Sequence, residues 1–548
     1  MDLLCSASSL NAMFPYAPRE RYNCMNHKKT LAFLAVATAS VSLAACGSSD
    51  NGGSSDGIVL ANGAEPQNPL IPANTNENGG GRLTKLIYAG LVYYDNAGKT
   101  HMDVAESIEP NKDNTVFTVK LKDTKFSDGS PVTSKDFVDT WNYAVEKNFN
   151  NAYFFEMIKG YKEGAKSMEG LKVIDDSTFT IELAAPDADF VSRLGYDAYF
   201  PMHESAFADI DGYGENPIGN GPYMLDSWNH NVDATVVKNP EYTGERTAQN
   251  EGVKFTFYAQ GDAAYADLLS GNLDVLDAIP DSAFSTYEQE LAGRSTSDAS
   301  ARQVALTLNE NLDHFSGEEG KLRRQAISHA INRDEITEVI YKGTATAAKD
   351  FTSPAIPNYN DSIKGSDVLN YDPAKAKELW DKADKISKFE GTLPISYNAD
   401  GNNKAWVDAV ANSIKNALGI ESVGNPYPDF KSFRDEVKNR TAKGATRSSW
   451  SADYPATSAF IGPLYGTGAG NNDADYSNPE LDSLIDKAAS SSPEEAVKVN
   501  EQIQQILFED LPAVPLWYPN TTIGWSESVN NVAVSWNGTI PFWEISKA

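Results

Sequence analysis

The chain has 548 residues, more than one ordinary domain core holds, and this length predicts two or three lobes. Hydrophobic residues make up 41% and aromatic residues 10% of the chain, a composition typical of a folded protein with a large buried core. The formal net charge of −30 argues against a nucleic acid or an anionic lipid surface as the main partner, because both are negatively charged.

A secretory signal is the first predicted element. Lys28 and Lys29 precede an apolar run over residues 31–43, which is too short to cross a membrane comfortably. The stretch LAAC, ending at Cys46, resembles a bacterial lipobox, and this resemblance implies that Cys46 becomes the lipidated first residue of the mature protein. A plain signal peptide with a chance cysteine is the alternative. Residues 1–45 are therefore predicted as a signal peptide and residues 46–55, rich in Gly and Ser, as a flexible tether.

The start of the chain leaves two interpretations open. Met25 is a natural start for the signal, so residues 1–24 are either a long leading region or an untranslated stretch before the true start. Cys5 and Cys24 lie in the predicted signal segment, which leaves Cys46 as the single cysteine of the exported protein. The mature chain is therefore expected to be stable without disulfides.

Strands that alternate with helices follow along the globular part. A short strand begins at Ile58, and apolar residues at helical spacing then predict an amphipathic helix that ends near Gly90. Alternating apolar residues predict strands over 117–121 and 179–183. Thr133 and Asp136 have the spacing of a capping box, followed by a stripe of apolar residues every four positions: Phe137, Trp141 and Val145. This alternation predicts α/β layering.

The later elements continue the pattern. Residues 215–230 read as a loop, and the stretches ATVVKNPEYTG and VKFTFY after it predict two strands. Asn332 separates two predicted helices, because its side chain can cap the second helix together with Glu335. A proline follows both Asp372 and Asn478, which predicts two further helix starts.

The sequence lacks the common motifs of catalysis and metal binding. It contains no HExxH, GxSxG or paired CxxC pattern and no complete phosphate loop, and its six histidines are scattered. Residues 209–216, DIDGYGEN, lack the ligand spacing of a calcium loop. No cofactor and no metal are predicted. The 76 acidic residues leave a hydrolase with a pair of carboxylates open, although no particular pair is indicated.

Six blocks in order resemble the family of extracytoplasmic solute-binding proteins, family 5, which serve peptide ABC importers, and most of all the oligopeptide-binding proteins. The blocks are FTVKLKDTKFSDGSPVTSKDFVDTW, NPIGNGPYMLDSW with VVKNPEYTG, LLSGNLDVL, RRQAISHAINRDEI, YDPAKAKELWDKA and SADYPATSAFIGPLY. The resemblance covers nearly the whole mature chain. It implies an α/β fold of the periplasmic-binding-protein type (type II, cluster C), in which two lobes close like a flytrap and an extra domain is inserted.

The same resemblance implies three domains. Domain I would combine residues 56–100, 217–305 and 519–548, domain II would be an insertion over residues 101–216, and domain III would span residues 306–518. The chain would then cross between lobes several times and form a hinge. A ligand would stabilise the closed state only by binding it better than the open state.

The resemblance assigns the principal ligand contact to Asp453. In the family, the aspartate of the ADY motif holds the terminal ammonium of a bound peptide, and Asp453 occupies that position. The chemistry fits, since a buried carboxylate makes a charge-assisted hydrogen bond to an ammonium group. From residue type alone, a carboxylate that caps a local turn at Pro455 is the alternative.

Five further positions match ligand-binding residues of the family. Arg447 matches an arginine that meets the carboxylate end of short peptides in some relatives, with an ordinary ion pair as the alternative. The backbone of Ser449 and Ser451 matches a strand edge that pairs with the ligand main chain. Trp450 is expected to line the cleft, with a core role as the alternative. Tyr153 falls near a domain II tyrosine that closes over the amino end of the ligand.

These implications predict a non-enzymatic, substrate-binding component of an ABC importer. It would capture oligopeptides or dipeptides outside the membrane and deliver them to permease subunits that have cytoplasmic ATPases behind them. The protein is expected to be a monomer, to lie outside the cytoplasm of a bacterium, and to be anchored in the membrane by the lipid on Cys46. Capture of another solute, such as an oligosaccharide or a metal complex, is the first alternative, because the same fold serves those ligands. A secreted hydrolase is the second.

Overall fold

The computed structural model describes residues 57–548. The predicted signal peptide, the lipidation residue Cys46 and the tether lie outside the described residues and stay predictions. The described part mixes helices and strands along its whole length.

Fourteen α-helices occur in the described part of the chain. They are α1 (Asn78–Ile87), α2 (Ser134–Glu146), α3 (Phe190–Arg193), α4 (Ile210–Glu215), α5 (Gly261–Ser270), α6 (Tyr287–Leu291), α7 (Gly317–Ala330), α8 (Arg333–Val339), α9 (Pro373–Asp384), α10 (Lys404–Leu418), α11 (Phe430–Lys438), α12 (Ser458–Tyr465), α13 (Pro479–Ala489) and α14 (Pro493–Asp510).

Twenty strands lie between these helices. They are β1 (Ile58–Gly63), β2 (Val92–Tyr94), β3 (Thr100–Met102), β4 (Ala105–Pro110), β5 (Val116–Leu121), β6 (Leu171–Asp175), β7 (Thr178–Glu182), β8 (Tyr223–Asn229), β9 (Asp233–Lys238), β10 (Gly252–Phe257), β11 (Val275–Leu276), β12 (Ser295–Ala299), β13 (Arg302–Thr307), β14 (Ala345–Ala347), β15 (Thr392–Asn398), β16 (Glu421–Tyr427), β17 (Ala445–Ser451), β18 (Ala513–Trp525), β19 (Val529–Asn530) and β20 (Ser546–Lys547).

Two sheets organise the fold. Twelve strands form a mixed sheet in the order β16-β15-β17-β13-β18-β11-β1-β10-β9-β8, with β12 and β14 also paired to β18. A separate sheet, β4-β5-β7-β6, is antiparallel throughout and lies within the predicted insertion. Helices between the strands cover these sheets, and the predicted α/β class is confirmed.

Strand β18 joins the two halves of the large sheet. Its 13 residues change partners along their length. Residues 513–519 pair with β13 and β14, whereas residues 520–525 pair with β12 and β11. The predicted boundary at 518/519 falls at this change. The predicted boundary at 305/306 falls inside β13, so a division between β12 and β13 follows the strand pairing better. The three-domain division itself stays a prediction.

Separate apolar cores lie in different parts of the chain. One core consists of residues between 73 and 199, with Trp141 at its centre. Another consists of residues between 304 and 517, and a third combines residues 59–88 with residues 200–275 and 523–545. The first two cores each come from one stretch of the chain, whereas the third joins three stretches that are distant in sequence.

The capping residues predicted from the sequence are confirmed. Thr133 and Asp136 form a capping box at the start of α2, and that helix buries Phe137, Trp141 and Val145. The side chain of Asn332 accepts a hydrogen bond from the Glu335 N–H at the start of α8. The other two predicted caps, Asp372 and Asn478, accept hydrogen bonds from the first turns of α9 and α13.

One predicted loop is wrong. Residues 223–229 form strand β8, which pairs antiparallel with β9 at the edge of the large sheet. The period-two pattern is interrupted because the register shifts between Leu225 and Ser227. Most of this edge strand is also partly exposed, so its sequence lacks the apolar alternation of a half-buried strand.

Candidate functional site

A cavity of about 630 Å³ lies where several parts of the chain meet. Its walls come from residues 75–94, 195–200, 277–302, 451–453 and 521–543. All three predicted domains therefore contribute to it. Such a cavity has the size of a small-molecule or short-peptide site.

Asp453 lies in the wall of this cavity, directly after strand β17. The Ala452 N–H donates to the Ala301 carbonyl at 2.9 Å, which fixes the backbone before the carboxylate. Tyr454 and Pro455 are buried on the other side of it. Strand pairing before the carboxylate and burial after it hold Asp453 at a defined place in the wall.

The carboxylate of Asp453 has no partner in the described part of the chain. It is half-buried, and burial together with the negative charge of Asp197 raises its pKa to about 6, while Arg193 and Lys85 oppose this shift. The turn at Pro455 is closed by the backbone, because the Ala456 N–H donates to the Tyr454 carbonyl at 2.9 Å. The turn-capping alternative is therefore not the arrangement that the structure has.

Asp197 is a second acidic residue of the cavity, and the sequence analysis missed it. Its side chain is 4% exposed, and its Oδ1 atom has no hydrogen-bond partner within residues 57–548. Burial raises the pKa of this carboxyl, and the positive charge of Lys85 opposes the shift. Nothing in the stretch LGYDAYFPMH distinguishes this aspartate from a loop residue, because only the tertiary fold brings it to Asp453.

Aromatic side chains surround the two carboxylates. Tyr94 and Tyr196 line the cavity, and the Tyr196 ring stacks on Phe154 with 4.1 Å between ring centroids. Tyr153 is 53% exposed and is not part of the cavity wall. Desolvation and the charges of Asp453 and Asp197 raise the pKa of its phenol. Tyr153 therefore lies within electrostatic reach of the two carboxylates but outside the cavity wall, and its contact with a ligand stays a prediction.

The edge of β17 has the geometry that main-chain pairing needs. On one side β17 pairs with β13 over residues 446–451. On the other side β15 pairs only with Ala445 and Thr446, so residues 447–451 have no strand neighbour there in the described structure. Ser451 lines the cavity, whereas the Ser449 hydroxyl accepts a hydrogen bond from Arg302 Nε at 3.2 Å.

Arg447 lies on β17 but outside the wall of the 630 Å³ cavity. Its Nε donates to Asn398 Oδ1 at 2.8 Å, and its guanidinium lies over the rings of Phe430 and Phe433, at 5.3 and 5.7 Å. Burial, followed by the positive charge of Arg302, lowers its pKa. No carboxylate within residues 57–548 forms an ion pair with Arg447, so the ion-pair alternative does not describe it.

Arg302 is the arginine of β13 that lines the cavity. It pairs in register with Ser451 and has no carboxylate partner among the described residues. Two other arginines of the wall are already paired, Arg82 with Asp277 and Arg246 with Asp103. Arg302 therefore presents to the cavity a cationic group without an ion-pair partner in residues 57–548, although its Nε also donates to the Ser449 hydroxyl, and no sequence pattern indicated it.

Trp450 packs into the protein rather than into the large cavity. Its Nε1 donates to the Ala459 carbonyl at 2.8 Å, and its ring lies against a small core that contains Phe460 and Trp536. This packing matches the core role that the sequence left open. A contact between Trp450 and the ligand stays a prediction.

The described part of the chain offers neither a cluster of metal ligands nor a membrane-spanning helix. Residues 57–548 contain no group of three or more His, Cys, Asp or Glu side chains that is placed to hold a metal ion. In the same residues, no helix combines the length and apolar character that a membrane crossing requires.

A family description matches most of the chain. The model of the bacterial extracellular solute-binding proteins, family 5 (middle part) matches residues 99–472. The chain belongs to this family. Membership confirms the resemblance that the six sequence blocks indicated.

Two proteins with related sequences have names that refer to peptides. The dipeptide-binding protein DppE of Bacillus subtilis is 26% identical over 459 residues, which cover 79% of this chain and 82% of that protein. The periplasmic oligopeptide-binding protein OppA of Haemophilus influenzae is 27% identical over 489 residues, which cover 84% and 87% of the two chains.

Solved structures share the fold of this family 5 protein. The periplasmic murein tripeptide binding protein MppA, in its unliganded open form, has a TM-score of 0.78 at 22% identity, covering 89% of this chain and 97% of that chain. The complex of Haemophilus influenzae OppA with the peptide RPPGFSPFR has a TM-score of 0.67 at 22% identity, covering 90% and 99%. The predicted periplasmic-binding-protein fold is confirmed.

Proposed function

We propose that this family 5 protein captures peptides with a free amino terminus in the 630 Å³ cavity and delivers them to an ABC permease. The observation that carries the proposal is the carboxylate of Asp453, which lies in the cavity wall without a partner in the described structure. The peptide-related names of its relatives, DppE and OppA, support the same ligand class.

An ammonium group is the partner that Asp453 requires. A half-buried carboxylate loses hydration, and this loss together with the negative charge of Asp197 raises its pKa to about 6. A cation that enters the cavity restores the lost interaction by a charge-assisted hydrogen bond. Acetylation removes the charge of a peptide amino terminus, so an acetylated peptide cannot make this bond.

The backbone of β17 and the positive charge of Arg302 are proposed to bind the main chain and the carboxylate end of the peptide. The open side of β17 can hydrogen-bond to a ligand main chain, and main-chain bonds are common to all peptides whatever their side chains. Arg302 in the cavity wall supplies a positive group for the carboxylate end of a short ligand. We assign this role to Arg302 first, and to Arg447, the family position, for ligands that extend beyond the wall.

The remaining expectations are part of the same proposal. The protein would be a lipoprotein held at the outer side of the bacterial cell membrane through Cys46, and it would act as a monomer with permease subunits as partners. It would bind its ligand without converting it. The three predicted domains would close on the peptide, and β18, which pairs with both halves of the large sheet, would take part in the hinge.

Calorimetric titration tests the ligand class. The probes are a mixture of short peptides, the same mixture after N-acetylation, and a set of oligosaccharides. Wild type is compared with Asp453→Asn and with a matched control, Asp226→Asn, which changes an exposed aspartate of β8. We expect free peptides to bind wild type and the control, and to bind Asp453→Asn much more weakly. Preferential binding of oligosaccharides would contradict the proposal.

Mass spectrometry of the same samples separates capture from catalysis. After long incubation with the protein, bound peptides are released and their masses are measured. Intact peptides are expected, because the cavity is proposed to bind and not to hydrolyse. Cleavage that depends on Asp453 or Asp197 would support a hydrolase and contradict the receptor function.

A further inference from the structure

We propose that Asp197 is a second ammonium-binding residue, which holds the amino terminus of the ligand together with Asp453. This proposal rests on the proposed function, because it concerns the same cavity and the same ligand group. It adds a residue from residues 195–200, in the predicted domain II, to a site that the family motif places on the predicted domain III.

The burial of Asp197 is the first argument. The side chain is 4% exposed, lines the cavity, and leaves Oδ1 without a hydrogen-bond partner in residues 57–548. Buried polar atoms nearly always have partners, and a buried carboxylate oxygen without one costs free energy. A group on the ligand can supply the missing donor.

The position of Asp197 relative to α1 is the second argument. A Cβ atom placed on Gly81 would lie 3.9 Å from Asp197 Oδ2, so the carboxylate lies next to the first turn of this helix. The N–H groups of Gly79 and Gly80 in that turn are already taken by the Glu77 side chain. The first turn of α1 therefore leaves room for the Asp197 carboxylate, but the Gly79 and Gly80 N–H groups are not available to donate hydrogen bonds to it.

The charges around the two carboxylates give the third argument. Lys85 from α1 acts on both carboxylates, and Arg193 from α3 acts on Asp453. Arg193 is itself paired with Asp187 at 2.6 Å, and Lys85 is the cation whose charge acts on both carboxylates. The phenols that also respond to these charges are Tyr94, Tyr153 and Tyr196. A ligand ammonium that enters beside the two carboxylates adds a positive charge that can interact with both of them.

A primary ammonium has the donors that this arrangement needs. It carries three N–H groups, one for each carboxylate and one for a neutral acceptor such as a backbone carbonyl. In the empty protein the two carboxylates repel each other, and the ligand relieves that repulsion when it binds. The ligand class is therefore a peptide with an unmodified amino terminus, held by two acids rather than one.

Titration of Asp197→Asn, Asp453→Asn and the double variant tests this inference. The measured quantity is the ratio of the dissociation constants of an N-acetylated and a free short peptide. We expect each single variant to lower this ratio at least several-fold, mainly by weakening the free peptide, and the control Asp226→Asn to keep the wild-type ratio. A wild-type ratio in Asp197→Asn, with a reduced ratio in Asp453→Asn, would overturn the role of Asp197 and leave the proposed function standing.

The pH dependence of affinity tests whether the two carboxylates are coupled electrostatically, as a shared ammonium site requires. In Asp197→Asn, Asp453 loses the nearby negative charge and its pKa falls. The midpoint, the pH at which the peptide affinity is half lost, is therefore expected to be lower than in the wild type. Lys85→Gln tests the same charges if Asp197→Asn does not fold, and here the midpoint is expected to rise. An unchanged midpoint in both variants would overturn the inference. An unchanged ratio in Asp453→Asn would instead overturn the proposed function.

Discussion

The proposed binding role of Asp453 comes with a cost in the stability of the empty protein. Its pKa of about 6 in the folded protein lies above the value of an exposed aspartate, because burial and Asp197 disfavour the charged form. The folded state therefore holds its proton to higher pH than the unfolded state does. The cost is absent below about pH 4 and fully present above about pH 6.

Asp453→Asn is expected to stabilise the empty protein at neutral pH. The amide removes the charge but keeps the shape, so the free energy of unfolding should rise by about 2 kcal/mol at pH 7 and much less at pH 4. Urea unfolding at both pH values measures the difference, with Asp226→Asn as the control. Destabilisation at pH 7 would show that the carboxylate has a stabilising partner.

Peptide affinity is expected to fall as the medium becomes more acidic. Between pH 7 and pH 5 the Asp453 carboxyl takes up a proton, and the affinity for an ammonium should drop about tenfold. The amino terminus of a peptide stays charged and its carboxyl terminus stays ionised across this window. Titrations at pH 5, 6 and 7 measure the effect. A pH-independent affinity would mean that Asp453 does not face the ammonium.

The two acids of the cavity show what the sequence could and could not reveal. Asp453 was predictable because it lies in a motif whose neighbours are local in sequence. Asp197, and Arg302 on β13, carry no local signal. Their proposed roles depend on a tertiary position in the cavity wall, and on the absence of an ion-pair partner within residues 57–548, which only a structure can show.

At the scale of elements, a buried ion pair holds the end of α1 in place. Asp103 and Arg246 are 1% and 5% exposed, and Oδ2 of Asp103 lies 3.0 Å from the guanidinium. Arg246 also donates to the backbone carbonyls of Lys85 and Tyr88, at 2.9 and 3.1 Å. Helix α1 carries Lys85 into the cavity, so this pair supports the site from outside it.

Asp103→Ala is expected to destabilise the protein strongly. The change leaves the Arg246 guanidinium buried without its counter-charge, and loss of one partner of such a pair costs about 3 kcal/mol. Chemical denaturation measures this loss, and Asp226→Ala serves as the exposed control. A change below about 1 kcal/mol, the range of an exposed pair, would show that water replaces the missing carboxylate.

Helix starts were easier to predict than strands. The caps at Thr133, Asn332, Asp372 and Asn478 depend on side chains within three residues of one another, so the sequence contains the whole signal. Strand β8 depends on pairing with β9 and has a register shift that interrupts its pattern. Edge strands of this kind are not predicted from apolar periodicity, because they bury little apolar surface.

At the scale of the whole molecule, the cavity is assembled from distant segments of the chain. Residues near 85, 197, 302 and 453 line it together, and β18 links the two halves of the sheet on which β13 and β17 lie. A ligand that contacts all these segments binds best when they come closest together. Binding is therefore expected to favour a closed arrangement.

A saturating peptide is expected to make the protein more compact and more stable. Small-angle scattering should show a smaller radius of gyration, and thermal unfolding should show a midpoint that rises with peptide concentration. Asp453→Asn should show neither change at the same concentration. Stabilisation of wild type without compaction would mean that the peptide binds without domain closure.

The contribution of the amino terminus to binding is the measurement that tests the central claim most directly. A single short peptide, free and N-acetylated, is titrated into the wild-type protein at pH 7. A charge-assisted hydrogen bond contributes roughly 1.5 to 3 kcal/mol, so the free peptide should bind about ten to a hundred times more tightly than the acetylated one. Equal dissociation constants for the two peptides would contradict the account of Asp453 as the residue that binds the ammonium.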